Sequence, residues 1–131
     1  MDSESAVLIH FNERIMTILG TQLVGELSEG FFNIANYFMP KRNILPLAAS
    51  ANRDEYGQTT LFLGGLLSGR TALSVGTGTN YIGDSHHGWS QEGIFNLVGG
   101  MYPRINNLED EKLINAIKFG AVVENADFYK N

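Results

Sequence analysis

Glycine divides the middle of the chain into short segments, and this spacing constrains the fold more than any other feature. The chain has 15 glycines, and pairs of them at 64–65 and 99–100 bound short runs rich in Thr, Phe, Leu and Val. Two such runs are 56–63 and 70–75. Residues of these types between glycine turns are typical of β-strands. The pattern predicts a glycine-rich antiparallel β region over about 44–102.

Helical spacing lies on both sides of this region. Apolar residues recur every three or four positions from Leu8 to Phe38, where Pro40 stops the pattern. This spacing predicts amphipathic N-terminal helices over about 4–38. Acidic residues then follow a suitable cap at Asn107, which predicts a C-terminal helix over about 108–119. This order of helices, strands and a final helix favours an α+β fold. A length of 131 residues fits a single domain, 1–131.

Charge and composition exclude several functions. The net charge is −5 with nine Lys and Arg residues, so the basic surface that nucleic acids or anionic membranes require is not expected. The absence of cysteine excludes disulfides and thiolate chemistry. The acidic start is unlike a signal peptide, and no apolar run is long enough to cross a membrane. The sequence therefore predicts a soluble protein that is cytoplasmic at synthesis.

The segment 81–92 collects the side chains best suited to chemistry. The candidate catalytic residues are Asp84, Ser85, His86, His87 and Glu92. A histidine beside a carboxylate can act in acid–base catalysis, and His87 with Glu92 are candidate ligands of a divalent metal. The structural alternative is a solvated polar loop that Trp89 anchors to the core.

Two family patterns match parts of this segment. Gly83-Asp84-Ser85 resembles the nucleophile block of the SGNH hydrolases, which implies a nucleophilic Ser85. His87-x4-Glu92-x6-Gly99 resembles half of the first cupin motif, which implies a metal site on a β-barrel. Both families complete their sites with histidines further along the chain. The one other histidine of this chain is His10, which lies before the segment.

A third motif spans 64–71. Its sequence, GGLLSGRT, matches the phosphate-binding pattern G-x-x-x-x-G-K-[ST] with Arg70 in place of the lysine. The pattern requires a helix after the loop, and arginine is not equivalent to lysine at such a site. The residues that follow are rich in β-branched side chains and glycine. They favour a turn between two strands over a phosphate-binding loop.

No catalytic set is complete, and the sequence favours a non-enzymatic assembly or binding protein. It would act as a homo-oligomeric subunit, such as a structural component of a virus or phage particle, because apolar residues near turns are typical of contact surfaces. The candidate interface residues are Phe31, Phe32, Leu66, Leu67, Trp89, Met101 and Tyr102. Two alternatives stay open. One is a small hydrolase or metal-dependent enzyme that uses the residues of 84–92, and the other is a small-ligand or anion-binding protein that uses the glycine loops and arginines.

Overall fold

The computed structural model describes residues 4–65, 68–76, 78–99, 102, 105 and 111–125. The chain divides into two compact units, Met1–Met101 and Tyr102–Asn131, and the prediction of one domain stays a prediction. Helices and antiparallel sheets are both present, which confirms the α+β fold. Within these ranges, no helix is long and apolar enough to pass through a lipid bilayer.

Residues 6–19 form a β-hairpin, so the prediction of a helix there is wrong. Strands β1 (Ala6–His10) and β2 (Ile15–Leu19) pair antiparallel. Arg14 takes a left-handed conformation in the connection, with φ of 56°. Both strands are rich in branched side chains, which favour extended backbone. The apolar spacing that suggested a helix combines residues from both faces of the hairpin, since Leu8 lies opposite Thr17 and Ile18 lies opposite Val7.

The second half of the predicted helical segment is helix α1 (Gly25–Phe38), which ends before Pro40 as the sequence predicts. The buried residue of this helix is Gly30. A methyl group at Gly30 would collide with Sδ of Met16 on β2. The helix therefore packs closely on the hairpin. A short 3-10 helix (Pro40–Arg42) then leads into the main sheet.

The main sheet has five strands arranged around one long strand, β3 (Leu45–Arg53). On one side β3 pairs antiparallel with β4 (Thr59–Leu63). Its other side pairs with both β5 (Asn80–Gly83) and β6 (His86–Ser90), and β6 pairs in turn with β7 (Gly93–Asn96). The segment 81–92 is thus largely strand, not the loop that the structural alternative supposed.

The strands β5 and β6 run one after the other along the same edge of β3, and Asp84 and Ser85 interrupt them. Ala51 lies opposite Gly83 and Ala48 lies opposite His86. Ser85 has φ of 67°, a conformation that is uncommon for a residue with a side chain. The interruption therefore places Asp84 beside the middle of the central strand.

Residues 70–75 do not form the second strand of the predicted pair. Strand β4 leads through the glycine-rich loop into a short helix, α2 (Arg70–Ser74). Gly69 precedes this helix with φ of 81°, which suits glycine. The prediction of a strand over 70–75 is wrong because tertiary contacts decide the conformation of so short a segment. One such contact is the Asn52 side chain on β3, whose Nδ2 donates to the Ser74 carbonyl at 3.1 Å.

In the second unit, helix α3 (Glu111–Ala116) lies inside the predicted range of 108–119. Positions 108–110 are outside the described residues.

Small and polar side chains fill the centre of the main sheet. Among the described residues, the buried hydrophobic ones are Ala49 and Ala51. The buried polar or charged ones are Ser50, Asn52, Ser74, Asp84, His86 and His87. Burying a polar group is costly unless it is hydrogen-bonded. The contacts of these six side chains therefore define the centre of the fold.

Candidate functional site

The carboxylate of Asp84 is the focus of the buried polar centre. Ser50 Oγ on β3 donates to Asp84 Oδ1, as does the backbone N–H of Ser85 at 2.8 Å. Thr71 Oγ1 on α2 donates to Asp84 Oδ2 at 2.7 Å. Arg70 Nε lies 3.8 Å from Oδ1. The carboxylate thus joins the central strand, the interruption between β5 and β6, and the helix after the glycine-rich loop.

These contacts keep Asp84 ionised. Burial alone would raise the pKa of its carboxyl group. The hydrogen bonds from Ser50, Thr71 and Ser85 and the positive charge of Arg70 outweigh that effect, so the pKa of Asp84 lies below its ordinary value of 3.8. At neutral pH the site therefore presents a negative charge whose position is fixed by four contacts.

Arg70 is the first residue of α2, and its guanidinium group turns back towards the sheet. Nη1 donates to the backbone carbonyls of Ala48 and Gly64, each at 3.1 Å. The side chain is 20% exposed. The arginine therefore connects the start of the glycine-rich loop to the central strand.

Tyr81 on β5 borders the same centre. Its hydroxyl is buried and has no hydrogen-bond partner among the described residues. Burial, and then the negative charge of Asp84, raise the pKa of this hydroxyl. Tyr81 therefore stays protonated and neutral beside the carboxylate.

The two adjacent histidines of β6 serve different neighbours. His86 Nδ1 lies 3.2 Å from Ser28 Oγ, and His86 Nε2 lies 3.2 Å from Glu29 Oε1. The ring of Phe32 stacks on this imidazole with the ring centroids 4.1 Å apart. All three partners are on α1, so His86 attaches that helix to the main sheet.

His87 lies on the other side of the strand, next to Asn96 of β7. Its Nε2 is 3.3 Å from Asn96 Nδ2, and its Nδ1 is buried without a hydrogen-bond partner among the described residues. Burial lowers the pKa of His87 below the ordinary 6.5, because a charged imidazolium is poorly solvated there. His87 is therefore a neutral, structural residue of the sheet.

We expect His87 to make the protein sensitive to mild acid. Since its folded pKa is below 6.5, the unfolded chain binds the proton first, and stability falls as the pH drops below that value. The loss is at most about 1.4 kcal/mol per pH unit. Urea unfolding at about pH 7.5 and about pH 5.5 measures it. His87→Gln is expected to remove most of this loss and His10→Gln, on the exposed hairpin, to keep it. An equal loss in His87→Gln would refute the assignment.

Glu92 is not part of this centre. It lies in the turn between β6 and β7, where its backbone N–H donates to Ser90 Oγ at 3.2 Å. The three strand steps from His87 to Ser90 already span roughly 10 Å, so the predicted metal ligands His87 and Glu92 are not brought together. Across the part of the chain that the structure describes, no group of three or more His, Cys, Asp or Glu residues is placed to hold a metal ion.

Glu92 instead lines an open cleft of about 550 Å³ with Arg42 and Phe95. This cleft lies at the far end of β6 from Asp84, and its lining includes none of the residues that contact the Asp84 carboxylate. The volume of a cleft alone does not define a site, so we assign the candidate site to the surroundings of Asp84.

Ser85 does not have the surroundings of a catalytic nucleophile. Its backbone is used twice, since the N–H donates to Asp84 and the carbonyl accepts from the Ala49 N–H at 2.9 Å. The histidine next to it faces Ser28 and Glu29 of α1. No acid–base partner for Ser85 is therefore found among its described contacts.

The predicted interface residues fall into three groups. Phe31 and Trp89 are 58% and 53% exposed, and Tyr102 is exposed as well. Trp89 therefore does not anchor its segment to a core. Phe32 packs on His86 inside the fold. Leu66, Leu67 and Met101 lie outside the described residues. Self-association through these positions stays a prediction.

Four residues of the site were not predicted as site residues from the sequence: Ser50, Arg70, Thr71 and Asn96. The motif at 64–71 was the available signal for two of them. The structure now supplies what that motif requires, namely a strand before the loop, a helix after it, and a carboxylate on the threonine hydroxyl. This arrangement is typical of loops that hold nucleotide phosphates.

Comparison with known proteins shows the family of this chain. The family model described as Phosphoenolpyruvate carboxykinase matches residues 1–131, and the chain therefore belongs to the phosphoenolpyruvate carboxykinase family. This membership overturns the prediction of a non-enzymatic structural protein, including the component of a virus or phage particle, because the family consists of enzymes.

Similar curated proteins carry the name Phosphoenolpyruvate carboxykinase (ATP). The one from Fusobacterium nucleatum subsp. nucleatum is 43% identical over 129 residues, which are 95% of this chain and 25% of that relative. The one from Bacillus subtilis (strain 168) is 41% identical over 126 residues, which are 94% of this chain and 24% of that relative. The chain thus spans about a quarter of the length of the curated relatives it matches.

Proposed function

We propose that this chain carries the nucleotide phosphate-binding part of an ATP-dependent phosphoenolpyruvate carboxykinase. The observation that carries the proposal is the contact between Thr71 Oγ1 and Asp84 Oδ2 at 2.7 Å. In nucleotide-binding loops of this pattern, the threonine hydroxyl and an acidic residue from the same sheet hold the Mg²⁺ that accompanies the phosphates. The names of the relatives, which include ATP, support the same ligand.

The residues at this point fit a magnesium ion. Mg²⁺ prefers oxygen ligands and usually takes only one or two carboxylates from the protein. Asp84 supplies an ionised carboxylate, because its pKa is depressed, and Thr71 supplies the neighbouring hydroxyl. Oδ1 is held by Ser50 and Ser85, which leaves Oδ2 and Thr71 to hold the ion. The ion would neutralise charge on the phosphates.

The protein groups have separate tasks in this proposal. The glycines of 64–69 let the backbone approach the phosphates closely, since a side chain would occupy that space. Ser50 fixes the orientation of the carboxylate from the central strand. Asn52 holds α2 in place through the Ser74 carbonyl. Binding and orientation are what a phosphate site contributes to phosphoryl transfer.

Isothermal titration of the protein with MgATP, before and after Thr71→Val, tests the proposal. Valine keeps the shape of threonine but loses the hydroxyl, so we expect the affinity for MgATP to fall about tenfold or more while the free energy of unfolding falls by only about 1 kcal/mol. Thr60→Val, on the exposed face of β4, is the control and is expected to leave the affinity unchanged. Equal affinity in all three proteins would contradict the proposal, as would no binding by the unsubstituted protein.

The same proposal includes the carboxykinase activity for which the relatives are named. Carboxykinase activity towards phosphoenolpyruvate is named for proteins about four times as long as this chain. The candidate site described here accounts only for the nucleotide phosphates. We also propose that the protein is cytoplasmic and that it self-associates, as its sequence predicts.

A further inference from the structure

Arg70 occupies the position where the phosphate-binding pattern has lysine, yet its contacts differ from those that the pattern requires. The lysine of such loops extends to the β and γ phosphate oxygens. Here Nη1 is engaged by the carbonyls of Ala48 and Gly64, both at 3.1 Å, and Nε faces Asp84 at 3.8 Å. The guanidinium group thus contacts backbone carbonyls and a carboxylate of the protein itself.

We infer that Arg70 is a positioning residue that ties the first glycine of the phosphate loop to the central strand, and is not itself a ligand of the phosphates. The effect on nucleotide binding rests on the proposed function, whereas the position of Arg70 rests on its contacts alone. A planar guanidinium group can contact two carbonyls and a carboxylate at once, whereas the lysine ammonium is a single point of charge on a flexible stem. Arginine therefore suits a tie of this kind better than the lysine of the pattern does.

The tie has a consequence for the nucleotide. With Arg70 held by Ala48, Gly64 and Asp84, the β and γ oxygens lack the cation that the pattern places beside them. The chain then holds MgATP through Thr71 and Asp84 without that cation, and binds it more weakly than a loop with a free lysine. Lysine at position 70 would release Gly64 and reach the phosphates.

The test compares the unsubstituted protein with Arg70→Lys by hydrogen exchange and by titration with MgATP. We expect amide exchange in 64–69 to become about tenfold faster in Arg70→Lys, because the tie is lost. We expect the affinity for MgATP to rise about tenfold, because the ammonium group reaches the phosphates. The matched control is Arg53→Lys, since Arg53 Nε also ties a turn by donating to the Gly57 carbonyl at 3.1 Å. It should speed exchange in 54–58 only and leave MgATP affinity unchanged.

The outcomes separate this inference from the proposed function. Unchanged exchange in 64–69, or a lower affinity for MgATP in Arg70→Lys, would overturn the role of Arg70. Absence of MgATP binding in every variant would overturn the proposed function, and the exchange data would still decide whether the tie exists. If Arg70→Lys does not fold, NMR of the arginine Nε–H groups in the unsubstituted protein replaces it. An Arg70 Nε–H chemical shift that is unchanged when MgATP is added supports the tie. A large change of that chemical shift on addition of MgATP overturns it.

Discussion

Replacing Asp84 by alanine is expected to abolish MgATP binding and to lower the free energy of unfolding by about 3 kcal/mol. The variant leaves the hydroxyls of Ser50 and Thr71 and the Ser85 N–H without their acceptor. It also leaves the charge of Arg70, which is 20% exposed, without its carboxylate. Donors and charges buried without partners cost more than the hydrogen bonds themselves contributed.

A second variant separates stability from binding. Asp84→Asn keeps the shape and one acceptor, so it should cost less stability than alanine but still lose MgATP. Asp54→Ala removes a half-buried carboxylate that accepts from the Gln58 N–H in a turn and is the control for both. Urea unfolding and titration with MgATP are the measurements. Binding retained by Asp84→Asn would show that the charge is not used for the ligand.

Acid should act on the same carboxylate. Because the folded pKa of Asp84 is depressed below 3.8, its contribution to stability is fully present above that value. The contribution is lost as the pH falls through the folded pKa. This loss occurs in a lower pH range than the loss assigned to His87, so the two can be measured separately.

Replacing Asn96 by alanine is expected to lower the free energy of unfolding by about 3 kcal/mol. The Asn96 amide nitrogen donates to the His86 carbonyl at 3.2 Å and lies 3.3 Å from His87 Nε2. Its oxygen accepts from the N–H groups of Val98 and Gly99. One side chain thus satisfies backbone groups on β6 and on the chain that leaves β7, and alanine can replace none of these contacts.

The control for Asn96 is Asn36→Ala on α1. Asn36 Nδ2 donates to the Phe32 carbonyl at 2.8 Å, but on an exposed helix surface, where water replaces the lost contact. We expect that variant to change stability by less than about 1 kcal/mol. Thermal unfolding of both variants provides the comparison. Similar losses in the two would mean that Asn96 is no more important than a surface amide.

The sequence predicted the class of fold better than the placement of its elements. The end of α1 before Pro40 follows from local chemistry, because proline cannot continue a helix. The hairpin of β1 and β2 did not follow, since three- and four-residue spacing also occurs when two short apolar strands are joined by a tight turn. The helix at Arg70–Ser74 depends on contacts with β3 that lie 22 positions away in the chain, and local propensity does not register such contacts.

The site was predictable only in part. Asp84 was a candidate, but its partners Ser50 and Thr71 lie 34 and 13 positions away. Serine and threonine are so common that nothing in their local sequence sets them apart. The phosphate-binding pattern includes Thr71, but Arg70 in place of the lysine and the β-branched and glycine residues that follow favour a turn instead. In the structure Arg70 contacts Ala48, Gly64 and Asp84, and the motif is still preceded by a strand and followed by a helix.

The interruption between β5 and β6 makes chain length the property that this site tolerates least. Each residue of the two strands faces one side of the sheet or the other according to its count from that interruption. Inserting or deleting one residue between Gly83 and His86 would exchange the faces of the two histidines. It would also move Asp84 away from Ser50. A change of length here should therefore disturb both the carboxylate centre and the attachment of α1 through His86.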